Sequence, residues 1–371
     1  MRKAALFISS LHKGGAERVM SQIAHHLLAG GYEVVLVTQR VDGDEYALDG
    51  RIRRRISDLT PEETAGSSIV GRIVNLARRC RKLREIWKEE KPDVILSFIG
   101  KNNVMAVLTA KGLHIPVVCG VRGDPALEYE DPSLKKAAFR TFGGAARVVL
   151  QTERSRSFFP ENISKKAIIL PNPIEPQFLM PPFEGERDGR IVTVGRIDAN
   201  KNQRLLIDAF CNVADRIPDC RLEIFGQGPD LEQLRELVKE RGMEERISLP
   251  GPVDRVQDRI RSASLFVLPS DTEGMPNALL EAMSLGLPCI STDCPSGGPA
   301  QLINDGVNGL LIPVRDEKRL GEAMVQMLTD RQKAEEMGRK ARGVQEIYAP
   351  DRALQAWEEC LAEAADIWKG K

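Results

Sequence analysis

Apolar residues follow two alternating periods along this chain. Short strand-like runs are separated by longer segments in which apolar positions recur every three or four residues, the pattern of parallel α/β layers rather than of a barrel of hairpins. In the first half, strands are expected at 3–9, 32–38, 51–56, 93–99, 115–121, 146–151 and 166–171. A proline-rich segment without a period, 171–189, reads as a linker. The pattern then restarts, with strands expected at 190–195, 220–226, 246–251, 264–270, 288–293 and 309–314. Two terminal helices follow, separated by the break at Ala349–Pro350. The chain is therefore expected to form two doubly wound α/β domains, 1–183 and 184–348, with a C-terminal helix, 349–371. Ligands in open α/β sheets sit outside the carboxyl ends of the strands, so each domain is expected to present its strand-end loops to a central cleft.

At 371 residues the chain exceeds the usual size for one hydrophobic core, in keeping with two domains. Its seven cysteines form no Cys-x-x-Cys pair and lie mostly in apolar runs, which suits a reducing cytosol. Neither they nor the four histidines (His12, His25, His26, His114) show ligand spacing, so no metal is expected. The start MRKAALFISSLHKGGAE superficially matches a signal peptide, but its short apolar run leads into a glycine loop and a helix and is read as a first strand. No run approaches the length of a membrane span. Charge is balanced overall but unevenly placed: residues 1–183 hold 28 Lys/Arg against 20 Asp/Glu, and residues 184–371 hold 25 against 33. The first half has the better claim on an anionic partner. Nucleic acid is not expected, since aromatics are sparse and no recognition motif is present.

The stretch EGMPNALLEAMSLGLPCIS places Glu273 and Glu281 eight residues apart around a helix start. Gly274 and Pro276 mark a turn into a helix over Asn277 to Leu285, whose first N–H groups can face a diphosphate. A nucleotide sugar across that mouth would offer a ribose diol to one carboxylate and sugar hydroxyls to the other. The alternative is a solvated loop residue and a surface helix residue. Arg196 and Lys201 leave the end of another strand, where a planar fork and a point charge can reach one diphosphate; surface solvation is the alternative. The loop Lys13-Gly14-Gly15-Ala16-Glu17 opens a helix over Arg18 to Leu28, and its paired glycines allow close backbone approach to a phosphate or a sugar, or form only a tight turn. A dinucleotide-binding fingerprint is absent.

In this order and at these separations, GGAERV, LPNPI, VGRIDANKNQ, IFGQGP, LPGPV, the pair Glu273/Glu281 and DGVNGLLIPVRD resemble the retaining family-4 glycosyltransferases, over nearly the whole chain. The resemblance implies two Rossmann-like domains in the GT-B architecture, with the C-terminal helix returning to the first domain. It implies that Arg196 and Lys201 bind the donor diphosphate, Glu281 the ribose and Glu273 the donor sugar. Backbone at Leu249 to Pro252 would meet the base, and amides at Gly15, Gly274, Met275, Asn277, Ala278 and Leu279 would complete the donor contacts. Catalysis would rest on Arg196, Lys201 and Glu273, with the leaving diphosphate accepting the acceptor's proton and with no cofactor beyond the nucleotide sugar, a UDP-sugar by expectation. The Asp271-Thr272-Glu273 triplet, a nominal metal motif, overlaps the sugar position. Many relatives carry a histidine after the fifth strand, whereas this chain reads Val121-Arg122-Gly123-Asp124-Pro125. Arg122 and Asp124 are accordingly acceptor-site candidates, with a structural salt bridge between them as the alternative.

The acceptor is expected on the first domain. Ile69, Ile73, Leu76, Cys80, Leu83 and Trp87 recur as one core-facing stripe of a helix whose other faces carry Arg72, Arg78, Arg79, Arg81, Lys82, Arg84 and Lys88. Arg78, Arg79 and Lys82, with Lys13, are candidates for a lipid diphosphate or an anionic bilayer; a solvated basic face is the alternative. The motif spellings look most like bacterial enzymes that extend undecaprenyl-diphosphate glycans at the inner face of the cell membrane. A UDP-N-acetylglucosamine 2-epimerase and a non-catalytic sugar-nucleotide binder are the competing readings.

Overall fold

A computed structural model describes residues 1–65 and 68–369 of the chain. It divides into two compact units, residues 1–172 with 351–371, and residues 173–350. The first unit is built on seven parallel strands: β1 (Lys3–Ile8), β2 (Glu33–Thr38), β3 (Arg53–Ile56), β4 (Val94–Phe98), β5 (Val117–Gly120), β6 (Arg147–Leu150) and β7 (Ala167–Ile169). Their spatial order is β3-β2-β1-β4-β5-β6-β7, so the winding direction reverses between β1 and β4. Successive residues of β1 feed opposite layers. Ala5 and Phe7 join a core with Trp87 and Val117, while Ala4, Leu6 and Ile8 join a second core with Trp357 and Leu361. Burial on both faces is why these strands are continuous apolar runs. The helix Pro350–Lys369 thus closes one face of the first unit, with Trp357 edge-on to Phe98.

The second unit holds six parallel strands: β8 (Arg190–Val194), β9 (Arg221–Phe225), β10 (Ile247–Gly251), β11 (Leu265–Leu268), β12 (Cys289–Thr292) and β13 (Leu310–Ile312). Their order is β10-β9-β8-β11-β12-β13, with the reversal between β8 and β11. All thirteen strands fall within the segments read from the sequence, shorter by one to three residues at their ends. The boundary between the units differs. It lies at 172/173 rather than 183, because Ile174 and Phe178 are buried in the second core and the Ser284 hydroxyl donates to the Phe178 carbonyl.

The helix after β3 also corrects the sequence reading. With α1 spanning Gly15–Ala29, the next long helix, α2, spans Ile69–Glu90. Only its last turns are in the core: Leu83, Ile86 and Trp87 are buried, while Ile69, Val70, Ile73 and Leu76 are 70, 70, 64 and 53 % exposed. The stripe is core-facing at one end because a 22-residue helix runs about 33 Å. The strands it covers, of four to six residues, reach only about 13 to 20 Å. The overhang is the N-terminal half of α2, which follows the carboxyl end of β3.

Candidate active site

In the second unit the loops after β8 and β11 emerge side by side at the reversal of winding, where open α/β sheets bind ligands. Each loop ends in a helix start. The β8 loop runs into Gln203–Val213, capped by Asn202, whose side chain accepts from Leu205 N–H at 3.3 Å in a left-handed conformation (φ 48°). The β11 loop runs into Asn277–Ser284, which has no side-chain cap. Backbone from the segments that follow β9 and β12 packs against both loops. A Cβ on Gly228 would lie 2.0 Å from the Ile197 carbonyl oxygen, and one on Gly298 would lie 1.5 Å from that of Gly274, so only glycine permits these approaches.

Lys201 and Glu273, far apart in sequence, meet here. Lys201 Nζ lies 2.6 Å from Glu273 Oε1, and Ser270 Oγ donates to the same oxygen at 2.6 Å. The Glu273 side chain is 10 % exposed and that of Lys201 22 %, so this charge pair faces restricted solvent. Arg196 stands apart at 72 % exposure, ion-paired through Nε with Asp198. The other oxygen of Asp198 accepts from Lys201 N–H at 2.9 Å, so one carboxylate orients the backbone of one cation and the side chain of the other. Sequence reasoning passed over Asp198, which has no signal beyond its place between the two cations.

Glu281 is buried at 6 % exposure within the uncapped helix, which removes the surface-residue alternative. Met275 and Leu279 are buried beside it, while Ala278 is partly exposed. Of the residues expected near the base, Pro252 is exposed past the end of β10, and the Leu249 carbonyl is already taken by Arg235 Nη2 at 3.0 Å.

The remaining candidates lie in the first unit. Gly15 opens α1 after an extended, uncapped Gly14, and Lys13 pairs on the surface with Asp44 at 2.6 Å. Arg122 and Asp124 form no salt bridge with each other. Asp124 caps the short helix Pro125–Glu128, accepting from Ala126 N–H at 2.9 Å. Arg122 turns inward, its guanidinium 4.6 Å above the Phe98 ring and 5.3 Å from that of Trp357, and donates to Asn172 Oδ1. Burial pulls its pKa down to about 10. The loop is shaped instead by Glu128, which sequence reasoning missed. Its carboxylate accepts from the N–H groups of Gly100, Arg122 and Gly123 at 2.8, 2.9 and 3.2 Å.

On α2, Arg78 donates to the Glu63 carbonyl, Arg79 pairs with Asp58 at 2.6 Å, and Lys82 reaches the Asp58 carbonyl at 2.5 Å and Glu63 at 3.3 Å. These cations hold the loop at 58–63, whereas Arg72 and Arg81 are exposed and show no partner among the described residues. Among those residues no helix is long and apolar enough to cross a membrane.

Known proteins resemble this chain in sequence and in fold. Residues 14–172 match the family described as glycosyl transferase 4-like domain, and residues 181–344 match glycosyl transferases group 1. An exopolysaccharide phosphotransferase of Streptomyces coelicolor is 33 % identical over 220 residues, covering 58 % of this chain and 23 % of that protein. The GalNAc-alpha-(1->4)-GalNAc-alpha-(1->3)-diNAcBac-PP-undecaprenol alpha-1,4-N-acetyl-D-galactosaminyltransferase of Campylobacter jejuni is 24 % identical across 98 % of this chain and 99 % of its own. Anabaena HepE, solved in complex with UDP, shares the fold at a TM-score of 0.81 and 17 % identity, over 98 % of this chain and 100 % of that one. With both halves matched in order by the two family descriptions, the chain belongs to the group 1 glycosyltransferases, with a 4-like first domain and the GT-B type of α/β fold.

Proposed function

We propose that this protein is a retaining glycosyltransferase that moves a hexose or N-acetylhexosamine from a UDP-sugar to a glycan carried on undecaprenyl diphosphate. The observation that carries the reading is the contact of Lys201 with Glu273 at the reversal of winding, beside a helix that buries Glu281. A cation for the diphosphate, a carboxylate for sugar hydroxyls and a carboxylate for the ribose are there gathered on two adjacent loops and the helix that one of them opens. The UDP bound by HepE and the undecaprenol-linked substrate of the Campylobacter relative support the donor and acceptor classes.

In the reaction so assigned, the bond between the anomeric carbon and the diphosphate oxygen breaks. The acceptor oxygen bonds to that carbon from the same face, and its proton passes to the departing diphosphate. Arg196 and Lys201 stabilise the charge that develops on the leaving group, which makes a divalent ion dispensable. The acceptor side is assigned to the first unit. The N-terminal half of α2, with four exposed apolar side chains beside Arg72, Arg78, Arg79, Arg81 and Lys82, would rest on an anionic membrane surface.

The test is a panel of nucleotide sugars offered with and without lipid-diphosphate glycans, in the presence and absence of chelator, following release of nucleoside diphosphate. Release that needs both substrates and survives chelation supports the proposal. Turnover of donor with no acceptor would instead point to an epimerase, and donor binding without turnover across the panel to a binding protein.

A further inference from the structure

Lys201 and Glu273 sit on separate loops, and ion pairs between mobile side chains are weak unless something else fixes their geometry. The two loops are stitched together on both sides of that pair. Asn200 and Thr272, each one residue before a member of the pair, bond reciprocally: Asn200 Nδ2 donates to the Thr272 carbonyl at 3.0 Å, and Thr272 Oγ1 donates to Asn200 Oδ1 at 2.6 Å. The Asp271 N–H donates to the Asn200 carbonyl at 2.8 Å. Asn202 Nδ2 donates to Asp271 Oδ1 at 2.9 Å. The second oxygen of Asp271 receives Nε and Nη2 of Arg315 at 2.9 and 2.7 Å, from just beyond β13 and from a left-handed backbone (φ 61°).

We propose that Asn200 and Thr272, backed by Asp271, Asn202 and Arg315, are positioning residues that hold the Lys201 ammonium and the Glu273 carboxylate in register for the donor. The proposal rests on the function assigned above. The chemistry explains the residue types. An amide suits position 200 because that one side chain both donates and accepts, and a hydroxyl suits position 272 because it supplies the donor that Asn200 Oδ1 receives. When a nucleotide sugar enters, Lys201 exchanges Glu273 for the diphosphate and Glu273 exchanges Lys201 for a sugar hydroxyl. The stitched loops keep both groups at their distances while those partners change, and a displacement of about 1 Å at this step would cost on the order of 100-fold in rate.

The experiment compares Thr272→Val, which keeps the shape and removes the hydroxyl, with Thr272→Ser, which restores it, alongside Asn200→Ala and Lys201→Ala. For each full-length variant, kcat, donor KM and calorimetric UDP affinity are measured. Thr272→Val and Asn200→Ala should lower kcat by about 10- to 100-fold while UDP affinity stays within about threefold, and Thr272→Ser should recover most of the rate. A merely structural role would not divide kcat from binding in this way. Full activity of Thr272→Val with an impaired Lys201→Ala would overturn the positioning role and leave the site assignment standing. Full activity of Lys201→Ala would overturn the site assignment itself. Should Asn200→Ala fail to fold, the Thr272 pair still decides, since equal loss in Val and Ser also counts against the inference.

Discussion

Lys201 Nζ lies 2.6 Å from Glu273 Oε1, so the cation proposed for the donor diphosphate is held by the carboxylate proposed for the donor sugar. Each must leave the other when a nucleotide sugar binds. Lys201→Ala should therefore lower kcat more than donor affinity, at a transition-state cost of about 2 to 4 kcal/mol. Arg196→Ala should do the same. Steady-state kinetics check it, and unchanged turnover in both variants would remove the diphosphate assignment.

The carboxylates divide the donor between them. Glu281→Ala should weaken binding of UDP alone through the lost ribose contact. Glu273→Gln should leave UDP binding intact or tighter, because it releases Lys201, and should impair turnover of the intact sugar donor. Calorimetry with UDP and kinetics with the nucleotide sugar separate the two roles; equal loss of UDP binding in both variants would reject the division.

The overhang of α2 yields a test on vesicles. Replacing Ile69, Ile73 and Leu76 with serine should weaken flotation with anionic vesicles and raise the acceptor KM while leaving donor KM unchanged, without loss of thermal stability because all three are exposed. Replacing Arg78, Arg79 and Lys82 should weaken vesicle binding by about 1 kcal/mol for each charge lost, with a shallower salt dependence than the unaltered protein shows. These cations also hold the loop at 58–63, so the arginine and lysine variants should in addition increase proteolysis there. Unaltered vesicle binding in both sets would return α2 to a structural element with a solvated face.

Glu45 supplies the acid dependence. Arg54 grips its carboxylate at 2.5 and 3.0 Å, and the N–H groups of Asp42 and Leu11 add to it. The Arg54 hydrogen bonds in the main, against a burial penalty, pull its pKa from 4.5 to about 2. Because the folded value lies below the unfolded one, the stabilisation is complete above pH 4.5 and disappears as pH falls toward 2. Glu45→Gln should lower Tm at pH 7 and by progressively less below pH 4.5. A Tm difference that is the same at pH 7 and pH 3 would contradict the assignment.

The order of elements was legible in the sequence because strands buried on both faces must be apolar throughout, and helices with one buried face must repeat at 3.6 residues. Those two constraints locate all thirteen strands of the described residues. The loops bearing Arg196, Lys201 and Glu273 were legible as well, since glycines and cations at strand ends carry local meaning. Tertiary structure decided what local pattern does not encode. Periodicity shows that one face of α2 is apolar, but the length of the neighbouring strands determines that Ile69, Ile73 and Leu76 overhang while Leu83 and Trp87 are buried. Composition marks 171–189 as irregular, but the packing of Ile174 and Phe178 moves the boundary to 172/173. A charge in a strand-end loop can face a ligand or turn inward, and only the rings of Phe98 and Trp357 show that Arg122 does the latter. The pairing of Lys201 with Glu273, and the stitching of Asn200 to Thr272 beside it, arise because β8 and β11 are neighbours in space at a separation in sequence that no local rule spans.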